Sequence, residues 1–219
     1  MANSKVLREV HTGLAPLNKD SKTHEMTLTD VISSILSKKK FDVSISWDSK
    51  IHVNEIVSLL KKRDKNTKYS FRLEKSFLKP DGGILYIRDS YNNKFPILIT
   101  EMKQQGTNSL RIKEGKNTQA KGNAIERLGK NVIGFKELCG NDIFPFVAFI
   151  SGCDFVDSST IVDRVRTIAR FQELNKLNFN AGSFFLKETS FSYEEMEKVL
   201  TRVIRKSISY YKNKVKNLV

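Results

Sequence analysis

Apolar positions in this chain recur at two spacings, and their order predicts helices interleaved with strands. Val31, Ile32, Ile35 and Leu36 keep helical spacing behind a cap at Thr27 or Thr29. Lys38-Lys39-Lys40 closes that helix with cations suited to its C-terminus. Phe41–Trp47 alternates strictly and reads as a strand. A second helix, about Val53–Arg63, turns Ile56, Val57, Leu59 and Leu60 inward, and Tyr69–Phe77 alternates again as a strand. Two apolar runs, Ile84–Ile87 and Phe95–Thr100, flank the polar stretch Asp89–Asn93 and predict a hairpin. Asn123 is placed to cap a helix from Ala124 to about Leu138, with Ile125, Leu128, Val132, Ile133 and Phe135 buried. Ile143–Ile150 reads as a buried central strand. A helix over about 159–177, core residues at Phe184-Phe185-Leu186 and an amphipathic helix over Tyr193–Asn217 complete the pattern. The expected fold is α/β, a mixed sheet flanked by helices, in one domain over residues 1–219.

Two stretches lack this patterning. Residues 1–25 are polar and irregular and read as a loosely packed arm. Gln104–Gly122 is basic and poor in core residues, the pattern of a functional or disordered loop. Composition then narrows the partner. Hydrophobic residues make up 39% and charged ones 28%, which suits a folded soluble protein. The formal charge of +14 favours a polyanion, nucleic acid above all. An acidic membrane surface is the competitor, but no apolar run reaches spanning length and no signal peptide is evident. Beside the hairpin, Gln104–Gly122 then reads as an arm lying along DNA that orders on binding. Cys139 and Cys153 lack metal-site spacing and predict no disulfide, so a cytoplasmic location is expected.

The predicted hairpin carries candidate chemistry at its open end. Folded about a centre near Asn92, it sets Gly83 opposite Glu101 and Asp81 opposite Lys103. Two carboxylates and an ammonium then converge. A hard divalent cation such as Mg²⁺ needs only one or two carboxylates beside its waters, and a lysine beside it can orient a water. Pro80, Gly82 and Gly83 shape the turn beside Asp81, where a bulky side chain would hinder phosphate approach. A bare Glu-x-Lys is more often an ordinary outward pair on an edge strand. Glu55, on the second helix, approaches the metal from outside its ligands or is a solvated surface acid. None of His11, His24 and His52 lies near this stretch, which argues against histidine chemistry.

Pro80-Asp81 with Glu101-Met102-Lys103 resembles the PD-(D/E)xK nuclease signature. The strings KPDGGILYIRDSYNNKFPILITEMKQQG at 79–106 and GNAIERLGKN at 122–131 resemble the EcoRI family of type II restriction endonucleases. The similarity continues weakly through Phe144-Pro145-Phe146, so it covers about residues 70–155. It implies a restriction-endonuclease-like core acting as a homodimer on double-stranded DNA. Asp81 and Glu101 would hold Mg²⁺ with the Met102 carbonyl, and Lys103 would position the hydrolytic water. It also implies that Asn123, Glu126 and Arg127 read the adenines of a central AATT, cut to leave 5′-phosphates and four-base 5′ overhangs. A bacterial adenine methyltransferase would protect the same site.

The residue chemistry beside that resemblance is compatible but less selective. Asn can bond adenine N6 and N7, Arg127 can donate to a purine, and Glu126 can accept from an exocyclic amine. Ala120 or Ala124 can meet a thymine methyl. The plainer alternative is a capped surface helix with adjacent charges. Arg111, Lys113 and Lys116 are expected along the DNA backbone, and Arg164, Arg166 and Arg170 either touch phosphate or form a solvated helix face. Gln119-Ala120-Lys121 stands where a GAATTC-cutting member of the family has Met-Ala-Ala and a CAATTG-cutting member ends in arginine. Lys121 can therefore specify a flanking G·C pair or simply contact phosphate, leaving Gln119 or a distant arm to choose. GAATTC, CAATTG and bare AATT all stay open. So do two other functions: a structure-selective repair or recombination nuclease, and a DNA-binding protein without catalysis.

Overall fold

A computed structural model of the chain describes residues 17–66, 75–104, 112, 115, 122–151, 184–187 and 190–218. Helix α1 (Leu17–Lys38) leads into β1 (Ser46–Asp48), β2 (Ile51–His52), α2 (Val53–Arg63) and β3 (Phe77–Leu78). The hairpin β4 (Ile84–Arg88) and β5 (Lys94–Gln104) follows, then α3 (Gly122–Cys139), β6 (Phe146–Ser151), β7 (Phe184–Lys187) and α4 (Tyr193–Lys214). Five strands form one sheet in the order β1-β4-β5-β6-β7. β4 runs antiparallel to β1 and β5, whereas β6 runs parallel to β5 and β7. This is a mixed sheet, and its two faces are covered separately. Ile84, Tyr86, Ile99, Phe146, Ala148 and Ile150 pack with Ile56 of α2 and with Leu128, Val132 and Phe135 of α3. Leu85, Ile87, Ile97, Leu98, Val147 and Phe149 pack instead with α1 and α4. The architecture is α/β, as the patterning predicts.

β6 is buried along its whole length, and all of it but the last residue, Ser151, is apolar, as suits a strand paired on both edges and covered on both faces. Phe146 lies against Phe135, Phe144 and Phe184, ring against ring at 5.3–6.1 Å. Residues 143–145, expected in this strand, are buried but enter it only at Phe146. Among the described residues no helix is long and apolar enough to cross a membrane.

Several expected boundaries change. The helix α1 takes in residues 17–25, the last part of the expected arm. Residues 17–27 are polar, and a helix without an apolar stripe leaves no periodicity to detect. Phe41–Trp47 is not one strand. Only Ser46–Asp48 pairs, although Phe41, Val43, Ile45 and Trp47 all pack against the α1–α4 core. Within the expected strand Tyr69–Phe77, the described part pairs only at Phe77, in a separate two-stranded ribbon with β2. The arm before Leu17 and the expected helix at 159–177 lie outside the described residues. α3 starts at Gly122, which puts Asn123 inside the first turn instead of at the cap. Ile133 is 67% exposed, not buried, because the face of α3 that meets the sheet is the Leu128–Val132–Phe135–Cys139 stripe. α4 ends at Lys214, after a capping box in which Ser192 accepts from Glu195 N and Glu195 from Ser192 N.

Candidate active site

The turn of the β4–β5 hairpin is built by one side chain. Asp89 accepts from the backbone N–H of Tyr91 at 3.0 Å and of Asn93 at 2.8 Å, and from Asn93 Nδ2 at 2.8 Å. Those hydrogen bonds, led by the Asn93 side chain, hold its carboxyl below the usual aspartate range. Asn92 takes a φ of 65°, which asparagine tolerates. From this turn the strands pair Arg88 with Lys94 and Ile87 with Phe95, then slip by one residue between Leu85 and Tyr86. Ile97 is the extra residue of this bulge, and it points to the same core as Leu98.

At the open end the register is one residue short of the expectation. Gly83 meets Thr100, with Gly82 N donating to Thr100 O at 3.1 Å and Thr100 N to Gly83 O at 3.4 Å. Asp81 therefore does not face Lys103 across a ladder. It stands in a turn closed by Gly83 N to Pro80 O at 3.0 Å, and that turn delivers its carboxylate to the strand. Asp81 Oδ2 accepts from Met102 N at 2.8 Å, while Asp81 N donates to Glu101 Oε2 at 3.1 Å. The three side chains still converge. Lys103 Nζ lies 2.6 Å from Glu101 Oε1, 3.1 Å from Asp81 Oδ2 and 3.1 Å from Met102 O.

Glu101 and Lys103 are two apart on β5 and share the face that α3 covers. Glu101 is only 2% exposed. Burial raises its pKa above the ordinary glutamate value and the Asp81 carboxylate adds to this, against the pull of Lys103. Burial works against the Lys103 ammonium, but Glu101 and Asp81 outweigh it and hold its pKa above that of a free lysine. Two carboxylate oxygens and one carbonyl oxygen thus surround a single positive charge. That all-oxygen set, already gathered round an ammonium, suits a hard divalent cation. Among the described residues no group of three His, Cys, Asp or Glu is placed to hold a metal ion, and the set here is two carboxylates and a carbonyl.

Three features at this site had no place in the expectations. Trp47 Nε1 donates to Gly82 O at 3.1 Å and fastens the turn that carries Asp81. A cavity of about 240 Å³ opens beside Asp81, lined by Thr29, Trp47, Ser49, Pro80 and Gly83. Asn131 of α3 donates from Nδ2 to Glu101 Oε1 at 2.8 Å. Its signal was a polar residue at the edge of the apolar stripe of α3. Trp47 gave none beyond its apolar character.

The other candidates are placed unevenly. Asn123 and Ala124 lie in the first turn of α3, and their side chains fall outside the described part. Glu126 and Arg127 are exposed, with Glu126 paired to Lys130 at 2.7 Å, one turn along, and its carboxyl lowered by that contact. Arg111, Lys113, Lys116, Gln119, Ala120 and Lys121 lie outside the described residues. Glu55 is not at the site; it accepts from His52 N at 3.2 Å and closes the start of α2. Cys139 is a buried free thiol, which burial pushes up to about 12. At the far end of α3, Arg63 donates to the carbonyls of Glu137 at 2.6 Å and Leu138 at 3.3 Å, a cation at a helix C-terminus.

The chain is similar to known proteins over most of its length. The family model of restriction endonuclease EcoRI matches residues 10–176. The type II restriction enzyme EcoRI of Escherichia coli is 29% identical over 156 residues, 66% of this chain and 56% of that enzyme. The type II restriction enzyme RsrI of Cereibacter sphaeroides is 26% identical over 189 residues, 78% of this chain and 68% of that enzyme. The chain thus spans little more than half the length of the first of these relatives. Since the family model covers far more than half of it, hairpin and α3 included, the chain belongs to the EcoRI restriction endonuclease family.

Proposed function

We propose that this chain is a Mg²⁺-dependent type II endonuclease that cuts both strands of palindromic DNA with a central AATT. The observation that carries the reading is the Asp81–Glu101–Met102 oxygen set gathered round Lys103 Nζ. Its place on the sheet face covered by α3, the helix carrying Asn123, Glu126 and Arg127, supports the DNA-reading part. Asp81, Glu101 and the Met102 carbonyl would hold the cation. Once bound, it supplies a water of lowered pKa and neutralises charge on the scissile phosphate. Lys103, released from the carboxylates, orients the attacking water and stabilises the same charge. The products are 5′-phosphate and 3′-hydroxyl ends on 5′ overhangs.

A palindromic duplex presents identical half-sites, so two copies of the chain act as a homodimer. Such an enzyme works in the bacterial cytoplasm beside an adenine methyltransferase acting on the same sequence. Arg111, Lys113 and Lys116 hold the backbone; the flanking pair, chosen by Lys121, Gln119 or a distant arm, is G·C in either orientation or unread.

Incubation of the purified protein with plasmid DNA and Mg²⁺, followed by sequencing of the ends, tests this reading. Discrete bands with AATT overhangs support it. Smears or cutting at junctions favour a repair or recombination nuclease, and retardation without cleavage favours a DNA-binding protein alone. A second measurement isolates base reading. Asn123→Ala should cost about 1–3 kcal/mol of binding at the cleaved sequence and far less on random DNA. Equal losses on both would remove Asn123 from the reading set.

A further inference from the structure

Glu101 is an acid almost without solvent, and three donors hold its two oxygens. Oε2 accepts from Asp81 N, while Oε1 accepts from Lys103 Nζ and Asn131 Nδ2. Two of these donors come from the hairpin itself. The third reaches across from α3 and is neutral. We infer that Asn131 is a positioning residue, whose amide fixes the Glu101 carboxylate in the orientation required to hold the divalent cation. The inference rests on the nuclease reading of Asp81, Glu101 and Lys103.

The helix geometry explains why an amide stands there. Leu128, Val132, Phe135 and Cys139 form the buried stripe of α3, and the part-buried Asn131 sits at its edge with its amide on Glu101 of the sheet. A polar side chain at such a position is stable only with a partner, and the carboxylate can only accept, which sets the amide with Nδ2 towards Glu101. A neutral donor satisfies one lone pair without cancelling the negative charge that a cation needs. A lysine or arginine at the same position would compete with the cation. The mount is also rigid. Arg63 holds the last carbonyls of α3, and Gly134 packs so closely on Leu78 that an added Cβ would stand 2.5 Å from its Cδ1.

The test is Mn²⁺ binding to the full chain, followed by electron paramagnetic resonance, in wild type, Glu101→Gln, Asn131→Ala and Asn131→Ser. Removing an outer hydrogen bond to a metal-binding group weakens metal affinity by about 10–100-fold. Asn131→Ala should show a loss in that range with a thermal midpoint close to wild type. Asn131→Ser, whose hydroxyl falls short of Glu101, should match it and covers the case in which the alanine variant folds poorly. If both variants bind Mn²⁺ as wild type does, while Glu101→Gln does not, the positioning role is overturned and the nuclease reading stands. If Glu101→Gln itself leaves Mn²⁺ binding unchanged, the metal-site reading falls and the role of Asn131 falls with it.

Discussion

Glu101→Gln should lower cleavage by at least about 10³-fold while leaving specific DNA binding in the absence of divalent metal intact or tighter. The substitution keeps the size of the side chain and one of its two acceptor oxygens but removes the charge that would hold the cation in the proposed site. The fold should survive it. Lys103 keeps Asp81 as an ionic partner at 3.1 Å, so its ammonium is not left buried and unpaired, and the cost of burying the Glu101 carboxylate is gone. Binding should hold because in the proposed complex the residue would face a phosphate, and one negative charge fewer at that point would remove a repulsion. Gel retardation in chelator and single-turnover cleavage in Mg²⁺, on one protein preparation, check both halves. A variant cutting near the wild-type rate would remove Glu101 from the metal site, whereas loss of binding and cutting together would mean that the substitution unfolds the hairpin.

How much of this site was legible in the sequence depends on what each inference rested on. The hairpin was legible because Ile84–Ile87 and Phe95–Thr100 are apolar on both sides of a turn rich in Asp and Asn. The convergence of Asp81, Glu101 and Lys103 follows from their lying at the hairpin's open end. The register was not legible. It depends on the bulge that adds Ile97, and nothing in an unbroken run of Pro-Ile-Leu-Ile marks which residue is extra. Asp81 reaches Lys103 through a turn, which strand alternation alone cannot supply.

Patterning elsewhere reported burial more faithfully than pairing. The alternation of Phe41, Val43, Ile45 and Trp47 identifies residues that pack on α1 and α4, yet only the last turns of that segment join the ladder. α2 was legible at both ends because its apolar stripe and its Lys61-Lys62-Arg63 terminus coincide. The start of α1 was hidden by the opposite circumstance, a polar helix running ahead of its own stripe. Asn131 was hidden by its neighbours: Leu128, Val132 and Phe135 already satisfy the period, so one polar residue among them looks like tolerance instead of a contact.

The glycines beside Asp81 carry the remaining difference, and with it the second large prediction. The sequence suggests that Gly82 and Gly83 leave room for phosphate. The structure gives a nearer reason. A Cβ on Gly83 would stand 2.3 Å from Trp47 Nε1 and 2.9 Å from Asp48 O, and the residue has a φ of +76°. The first neighbour is a ring that fastens Gly82 O, and the second is backbone of β1, so neither gives way cheaply. Gly83→Ala should therefore combine a left-handed penalty of about 1–2 kcal/mol with about 1–3 kcal/mol of overpacking. Gly115→Ala separates the two, since Gly115 has a φ of +66° and an added Cβ there meets nothing. Denaturant midpoints should show Gly115→Ala losing only the first part and Gly83→Ala losing both. Cleavage should separate them further: shifting the turn by about 1 Å moves the Asp81 carboxylate off the site and should cost about 10²-fold. Equal stability losses in the two variants would mean that Trp47 and β1 yield freely, and that the turn holds Asp81 by backbone conformation alone.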